Sequence, residues 1–268
     1  MSVRSVIERI GRDVKEGELS GLFFDFDGTI SEIVETPDKA KILPGARECL
    51  KRMAGRGDIV AGVISGRSID DLKERVGVQG LVYSGNHGAE LEIFGERQVL
   101  AESGSRPLLG SLARELDGLA HAFPGLLVED KGYSVSVHTR RVAGTQLEDV
   151  KNRVKESAGR FSNLTVREGK RVFEILPVRS ANKGEVLRVI ISRIEENRGA
   201  GVFPVYFGDD VTDRYVYEYL RERERGLSIF VSGKDRVHLE ADFELEGPGE
   251  VVAFMMDFLT LSDTRRER

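Results

Sequence analysis

The sequence predicts an α/β protein in which an inserted α+β unit interrupts a parallel-sheet core. Three apolar runs end in polar side chains, at residues 22–24, 58–65 and 202–207, and each suits a buried parallel strand. Segments with helical periodicity lie between them. From about residue 106 the predicted order becomes α-β-β-α-β-β, typical of a small open-faced antiparallel sheet. We therefore expect a Rossmann-like core from residues 1–105 and 180–268, and an inserted α+β domain over 106–179.

The elements of the core follow from local signals. Val3, Ile7 and Ile10 recur at helical spacing, Pro44 suits a first helical position, and Ser68 can cap a helix. Residues 31–42 are expected to form an ordered loop, and the charged tail after Thr260 is expected to be frayed. Helices are predicted over 3–14, 44–53, 69–76, 185–196 and 250–259. Strands are predicted over 21–24, 58–65, 81–84, 202–207, 228–231 and 242–245, with a hairpin of 90–94 and 97–101.

The inserted domain is predicted from a different pattern. In residues 133–139, apolar Tyr133, Val135 and Val137 alternate with polar side chains, so one face of this strand is polar. Helices are predicted over 108–121 and 145–158, and strands over 126–129, 133–139, 164–167 and 171–176.

Composition limits the class of function. The chain has 268 residues and a net charge of −5 with both signs abundant, which argues against broad nucleic-acid binding. The single cysteine, Cys49, lies among apolar residues at helical spacing and is expected in the core. No apolar run approaches the ~20 residues of a membrane span, and the amino terminus lacks a signal-peptide segment. A soluble, cytoplasmic protein without a membrane partner is expected, and the oligomeric state stays open.

Polar residues follow three of the predicted strands. Asp25 and Asp27 follow the first, Ser65 ends the second, and Asp209 follows the third. An isolated Asp-x-Asp is an ordinary turn feature. Three strands that end in polar residues, together with Lys183 before a helix, favour one crevice shared by all these side chains. The reason is that open α/β sheets bind ligands at the carboxyl ends of their strands.

The acidic residues of that crevice suit phosphoryl transfer. Asp25 is the candidate nucleophile, since a carboxylate can accept a phosphoryl group and divide one displacement into two. Asp27 would protonate the leaving oxygen and later activate water. Mg²⁺ prefers hard oxygen ligands, so Asp25, Asp209 and the backbone carbonyl of Asp27 are candidate ligands, with Asp210 or Asp213 in support.

Two further residues are candidates for binding the phosphoryl oxygens. Lys183 would act as a point charge, and Ser65 would donate a hydrogen bond. Taken alone, Lys183 is equally consistent with a surface charge at the start of a helix.

Four motifs carry a family resemblance. DFDGT, ISGRS, the lysine of NKG and GDDVTD resemble, in this order, the motifs of haloacid dehalogenase-like phosphatases. Within that superfamily, DFDGTISEIVETPDKA, VISGRS, SGNHGAE, VEDKGYSVSVHTR, FEILP and FGDDVTD are similar to the trehalose-6-phosphate phosphatase family. The resemblance implies Mg²⁺-dependent hydrolysis of trehalose 6-phosphate through an aspartyl phosphate, with the inserted domain as a cap over the sugar. It also implies the roles given above to Asp25, Asp27, Ser65, Lys183 and Asp209, and sugar contacts for Arg67, Asn86, His87, Glu129, Lys131, His138, Arg140 and Glu174.

Several alternatives stay open. Glu129 and Lys131 are equally consistent with a surface pair, and His138 with one polar member of an alternating strand. After GDDVTD the family commonly has Glu and then a small residue with Phe, whereas this chain continues with residues 214–216, Arg-Tyr-Val. The substrate could therefore be another glycosyl phosphate, such as sucrose, glucosylglycerol or mannosylglycerate phosphate.

Two rival functions belong to other classes. A metal-dependent Asp-x-Asp glycosyltransferase would leave Lys183 and the GDDVTD segment without a role. A noncatalytic sugar-phosphate sensor would not need both Asp25 and Asp27.

Overall fold

The chain divides into two units, which a computed structural model describes over residues 3–100, 105–169, 171–233 and 239–266. The core unit comprises Met1–Val34, Ala40–Gln98 and Asn182–Arg268. The inserted unit comprises Glu35–Lys39 and Val99–Ala181. The α/β fold class predicted from the sequence is confirmed.

An eight-stranded sheet forms the centre of the core unit. Its strand order is β12-β11-β10-β1-β2-β3-β4-β5. The six strands from β12 to β3 are parallel, and β4 pairs antiparallel with β3. These strands are β1 (Leu19–Phe24), β2 (Ile59–Ile64), β3 (Val82–Gly85), β4 (Glu90–Ile93), β5 (Glu96–Val99), β10 (Val202–Gly208), β11 (Leu227–Ser232) and β12 (Phe243–Glu246).

The helices of the core unit bury their apolar faces against this sheet. In α2, for example, Ala46, Cys49, Leu50 and Met53 are buried at three- and four-residue spacing. Cys49 is a buried free cysteine, as expected from the sequence. The helices are α1 (Val3–Asp13), α2 (Pro44–Ala54), α3 (Ile69–Val76), α6 (Lys183–Arg198), α7 (Arg214–Glu222) and α8 (Gly247–Arg266).

The structure differs from the sequence expectations in two places. Helix α7 was not anticipated, and three of its nine residues are tyrosine, which has only intermediate helix propensity. Its buried Val216, Tyr217 and Leu220 nevertheless form one helical face. The expectation of a frayed tail after Thr260 is wrong, since α8 continues to Arg266. The predicted hairpin is present as β4 and β5, and its last expected residue, Ala101, lies outside the described residues.

The inserted unit is an open-faced α+β sandwich. Its four-stranded sheet has the order β6-β7-β9-β8, and every neighbouring pair is antiparallel. One face packs on two helices through an apolar cluster that includes Val135, Val137, Phe173 and Ile175. The elements are α4 (Arg106–Asp117), β6 (Leu127–Asp130), β7 (Val135–His138), α5 (Leu147–Gly159), β8 (Leu164–Gly169) and β9 (Val172–Pro177).

Crossing a bilayer requires a helix that is both long and apolar. Among the residues that the structure describes, no helix meets both requirements.

Candidate active site

Three neighbouring strands of the core sheet bring the predicted catalytic residues together. Strand β1 lies between β2 and β10, so Phe24 pairs with Val63 on one side and with Phe207 on the other. The Asp25 backbone N–H donates to the Phe207 carbonyl at 2.9 Å, which extends this pairing to the start of the loop. Strands β2 and β3 follow on one side of β1, whereas β10, β11 and β12 follow on its other side. Such a switch in strand order creates the crevice in which open α/β sheets bind their ligands.

Lys183 is buried among acidic groups at the amino terminus of α6. Its ammonium lies 3.0 Å from Asp25 Oδ1 and 2.6 Å from Asp213 Oδ1, and the lysine is only 4% exposed. The alternative of an exposed surface charge is therefore excluded. Asn182 caps α6 by accepting from the Glu185 N–H at 3.0 Å, which sets the helix start beside Asp25.

Asp213 anchors this lysine. Its Oδ1 accepts hydrogen bonds from Lys183 and, at 2.7 Å, from the Tyr206 hydroxyl, while its Oδ2 accepts the Asp210 N–H at 2.9 Å. Tyr206 was not among the residues expected at the site. Its signal was a hydroxyl inside the otherwise apolar strand β10, where a buried polar atom needs a partner.

A carboxylate cluster suited to a cation lies at this edge of the sheet. Oxygen atoms of Asp25, Asp209 and Asp213 lie within 4.8 Å of one another. Asp209 Oδ1 is buried and accepts no hydrogen bond from the described part of the chain. Such an orphaned carboxylate oxygen fits a Mg²⁺ ligand, because this ion prefers hard oxygen donors. The carboxylates of Asp27 and Asp210 are not members of this cluster, and the expected contribution of Asp27, its backbone carbonyl, stays a prediction.

Electrostatics also favours a cation here. Burial raises the pKa of Asp25, an effect that the Lys183 ammonium opposes and the Asp213 carboxylate increases. Burial and then the charge of Asp25 raise the pKa of Asp209. Burial lowers the pKa of Lys183, but Asp213 and Asp25 outweigh it, so the net shift is upward. One buried ammonium therefore neutralises only part of the negative charge of several carboxylates. A divalent cation would offset their remaining repulsion.

Gly28 makes room for the Asp209 carboxylate. Its φ angle is +82°, in the left-handed region that favours glycine. A Cβ atom at this position would lie 2.1 Å from Asp209 Oδ2, a distance that only a displaced carboxylate could avoid. Gly28 is therefore needed for both the turn and the cluster.

Replacing Gly28 by alanine is expected to weaken Mg²⁺ binding about 10- to 100-fold, because the new methyl group displaces Asp209, the candidate ligand. Isothermal titration calorimetry with Mg²⁺ measures the affinity. Gly17→Ala is the matched control, since Gly17 has a φ of +80° but nothing within 4 Å of its added Cβ. Equal Mg²⁺ affinities of Gly28→Ala and Gly17→Ala would contradict the assignment of Asp209 as a ligand of the ion.

Asp27 faces an arginine. Its carboxylate pairs with Arg67 through two contacts, Nε to Oδ2 at 2.6 Å and Nη2 to Oδ1 at 2.7 Å. Arg67 was expected to contact the sugar, whereas its guanidinium is engaged with the candidate acid/base. The loop after β1 is itself held by Ser31, whose N–H and Oγ donate to the Phe26 carbonyl.

Ser65, Asn86 and His87 form a buried corner beside this pair. Ser65 Oγ accepts the Arg67 N–H at 3.2 Å, and the His87 N–H donates to the Ser65 carbonyl at 3.2 Å. Asn86 and His87 both have positive φ angles, of 51° and 54°. Such strain in non-glycine residues is concentrated at functional sites. Asn86 Nδ2 donates to the buried Glu90 at 2.5 Å, so part of this amide is already committed within the chain.

The inserted unit holds a polar cluster of its own. Glu129 Oε2 lies 3.0 Å from His138 Nε2 and 3.9 Å from Lys131 Nζ. The Lys131 side chain is only 8% exposed, which an ordinary surface pair would not require. These three residues, expected from the sequence to be sugar contacts, therefore do converge.

A row of polar residues crosses the open face of the inserted sheet. Strand pairing aligns Glu129 with Ser136, Ser136 with Glu174, and Glu174 with Arg167, and directly opposed residues share a face. This confirms the polar face predicted from alternation. Ser136 Oγ is buried with no hydrogen-bond partner among the described residues, and no sequence pattern indicated this. Arg140, the remaining expected contact, is exposed just beyond the end of β7.

Comparison with known proteins identifies the family. The family model described as trehalose-phosphatase matches residues 23–248. A trehalose-phosphate phosphatase of Mycolicibacterium paratuberculosis is 35% identical over 91% of this chain and 63% of its own length. One of Mycobacterium tuberculosis H37Rv is 36% identical over 87% of this chain and 59% of its own length. The chain thus spans about three fifths of the length of these curated relatives.

Solved structures of similar fold agree with the architecture. The Candida albicans trehalose-6-phosphate phosphatase C-terminal domain superposes with a TM-score of 0.80 at 21% identity, covering 96% of each chain. A trehalose-6-phosphate phosphatase related protein superposes with a TM-score of 0.76 at 22% identity, covering 91% of this chain and 99% of its own. At such identities the likeness concerns the fold alone. The match of the family model across most of the sequence shows that this chain belongs to the trehalose-phosphatase family.

Proposed function

We propose that this chain hydrolyses trehalose 6-phosphate to trehalose and phosphate in a Mg²⁺-dependent reaction through an aspartyl phosphate. The observation that carries the proposal is the buried contact of Lys183 with Asp25 at 3.0 Å, beside Asp209, in a member of the trehalose-phosphatase family. A carboxylate next to a buried cation suits nucleophilic attack on a phosphoryl group, whose negative charge needs the same neutralisation.

In the first half-reaction a carboxylate oxygen of Asp25 attacks phosphorus. The bond between phosphorus and the sugar oxygen breaks, and Asp27 donates a proton to that oxygen as trehalose leaves. Asp27 suits this task because it lies two residues after Asp25 and its side chain is 41% exposed, so it can meet both a leaving group and water.

In the second half-reaction water attacks the aspartyl phosphorus. The Asp27 carboxylate accepts a proton from this water, the bond between phosphorus and Asp25 oxygen breaks, and inorganic phosphate leaves. The two half-reactions restore both carboxyl groups to their starting forms. The same Asp27 side chain therefore serves as acid first and as base second.

Lys183 and Ser65 are proposed to hold the phosphoryl oxygens. Lys183 is fixed by Asp213 at 2.6 Å, so its ammonium is oriented without any movement during reaction. Mg²⁺ would be held by Asp25, Asp209 and the backbone carbonyl of Asp27, with Asp210 or Asp213 in support. When bound, the ion supplies positive charge that offsets the negative charge of the phosphoryl group.

Sugar recognition is assigned to two sets of residues. The resemblance implies sugar contacts for Arg67, Asn86 and His87 of the core unit. The contacts of Arg67 with Asp27 favour another role for this arginine. In the inserted unit the convergent charges of Glu129, Lys131 and His138 are able to bind sugar hydroxyl groups, and the same open face carries Glu174, with Arg140 beyond it.

Replacing Glu129 by alanine is expected to lower kcat/KM for trehalose 6-phosphate about 10- to 100-fold, the cost of a lost charged hydrogen bond. Turnover of 4-nitrophenyl phosphate, which has no sugar, is expected to stay unchanged. Steady-state phosphate release with both substrates measures the difference. Glu148→Ala, at an exposed position on α5, is the control. Equal losses on the two substrates would remove Glu129 from sugar recognition.

The proposed activity is tested by measuring phosphate release from a panel of phosphates with and without Mg²⁺. Trehalose 6-phosphate is expected to give the highest kcat/KM, and chelation is expected to abolish release. Higher efficiency with sucrose, glucosylglycerol or mannosylglycerate phosphate would reassign the substrate. Binding without hydrolysis would favour a sensor, and sugar transfer from a nucleotide-sugar would favour a glycosyltransferase.

A further inference from the structure

The candidate acid/base Asp27 is held by a chain of ion pairs that no sequence motif predicted. Arg67 donates hydrogen bonds to both carboxylate oxygens of Asp27, at 2.6 and 2.7 Å. Such a two-point contact fixes the plane of the carboxylate as well as its position. The Arg67 side chain is 9% exposed and that of Asp27 is 41% exposed, so a buried arginine restrains a carboxylate that stays accessible.

Further contacts fix the guanidinium of Arg67. Its Nη1 donates to Asp71 Oδ2 at 2.8 Å, and its guanidinium lies over the Phe26 ring at 5.2 Å. Asp71 is also bound by Arg75, whose Nε lies 2.8 Å from each Asp71 oxygen and whose Nη1 donates to the Ala40 carbonyl at 2.6 Å. We call the four residues Asp27, Arg67, Asp71 and Arg75 the ion-pair chain.

Helix α3 gives the ion-pair chain a rigid base. Asp71 and Arg75 are four residues apart on α3, so they lie on one side of the helix. Ser68 caps this helix by accepting the Asp71 N–H at 3.3 Å. The Arg67 backbone is tied as well, since its carbonyl accepts the Asn86 N–H at 2.7 Å. The arginine therefore has little freedom to turn towards another ligand.

We propose that Arg67, held by Asp71, is a positioning residue that orients Asp27 for proton transfer, rather than a sugar ligand. This rests on the proposed function of Asp27. In the aspartyl-phosphate step, the carboxylate must face the attacking water, and a rotation of its plane would misdirect the accepting lone pair. Sugar is absent from that step, so a positioning role and a sugar-binding role predict different kinetics.

The discriminating substrate is 4-nitrophenyl phosphate. Its leaving group is a stable anion that needs no protonation, so forming the aspartyl phosphate does not depend on Asp27 as an acid. Hydrolysis of the aspartyl phosphate still depends on Asp27 as a base. Loss of orientation should therefore slow only the second step, and nitrophenolate release should show a burst of one equivalent per active site.

We expect Asp71→Asn to lower kcat for 4-nitrophenyl phosphate about 10- to 100-fold, part of the 10²- to 10⁴-fold typical of a positioned acid or base. Rapid-mixing absorbance measures the burst and the steady rate. Asp70→Asn is the control, because Asp70 is the neighbouring residue on α3 and pairs with Arg97 at 2.6 Å instead. Its kinetics are expected to match those of the unaltered chain.

A second variant tests the same inference if Asp71→Asn does not fold. Arg67→Lys keeps the positive charge but cannot make the two-point contact, so the same burst and the same slow second step are expected. Circular dichroism and Mg²⁺ affinity establish that each variant is folded with an intact ion site.

Two other results are distinguishable. Unchanged kcat for 4-nitrophenyl phosphate, with a raised KM for trehalose 6-phosphate alone, would make Arg67 a sugar ligand and overturn the inference. Absence of phosphate release by the unaltered chain from every substrate would instead overturn the proposed function.

Discussion

Asp25→Asn is expected to lower turnover of trehalose 6-phosphate by at least about 10⁴-fold, because an amide cannot form the aspartyl phosphate. Folding is expected to survive the change. Asparagine has the same shape, and its side-chain oxygen can still accept a hydrogen bond from Lys183, which lies 3.0 Å from Asp25 Oδ1. Removing the charge also relieves repulsion, since burial and the nearby Asp213 both raise the pKa of Asp25.

Phosphate release and phosphate binding are to be measured on the same preparation. The variant should bind phosphate but release none from substrate. Asp257→Asn, which alters an exposed carboxylate on α8, is the control and should keep full activity. Turnover within a hundredfold of the unaltered chain, with deamidation excluded by mass spectrometry, would contradict the assignment of Asp25 as nucleophile.

Lys183→Met is expected to destabilise the fold by about 3–5 kcal/mol, the cost of leaving buried carboxylates without their cation. Asp25 and Asp213 both lose their contact with the ammonium. Turnover should also fall about 10²- to 10³-fold, because a phosphoryl ligand is removed. Urea unfolding, with and without Mg²⁺, measures the stability.

The destabilisation should depend on pH. Burial raises the pKa of Asp25 in the folded chain, and losing Lys183 raises it further. The folded variant then holds a proton that the unfolded chain releases above the ordinary carboxyl range, so stability falls as pH rises from that range towards neutrality. The deficit should therefore be larger at pH 8 than at pH 5, and Mg²⁺ should restore part of it.

A surface lysine provides the control for this experiment. Lys151 pairs with Glu168 at 2.9 Å on the exposed side of the inserted unit, and Lys151→Met should change stability little. If Lys183→Met were as stable as Lys151→Met at pH 8, the buried ammonium would not be what stabilises the carboxylate cluster.

Local signals predicted the site residues that follow strands. Asp25, Ser65 and Asp209 were found because each ends an apolar run, and parallel strands β1, β2 and β10 must end at one edge of a sheet. Lys183 was a candidate because it begins a predicted helix, and the family resemblance gave it a phosphate-binding role. Such inferences need only the direction of each strand.

Partnerships between distant side chains were not predictable in this way. Arg67 lies 40 residues from Asp27, and Lys183 lies 30 residues from Asp213. The order of residues does not state which cation meets which carboxylate, since that depends on loop geometry and on which atoms are buried. Arg67 was therefore expected at the sugar from the family resemblance alone, and Asp210 and Asp213 stayed alternatives for the metal shell.

By itself, the sequence determined the fold class, the strand ends that carry the candidate site residues and the resemblance to phosphatases, because hydrophobic periodicity and short motifs are local properties. Only the tertiary structure decided that Asp213 anchors Lys183, that Gly28 leaves space for Asp209, and that Arg67 holds Asp27. Each of these results depends on distances between residues far apart in the chain. Such distances are set by packing around the central sheet, which no local pattern encodes.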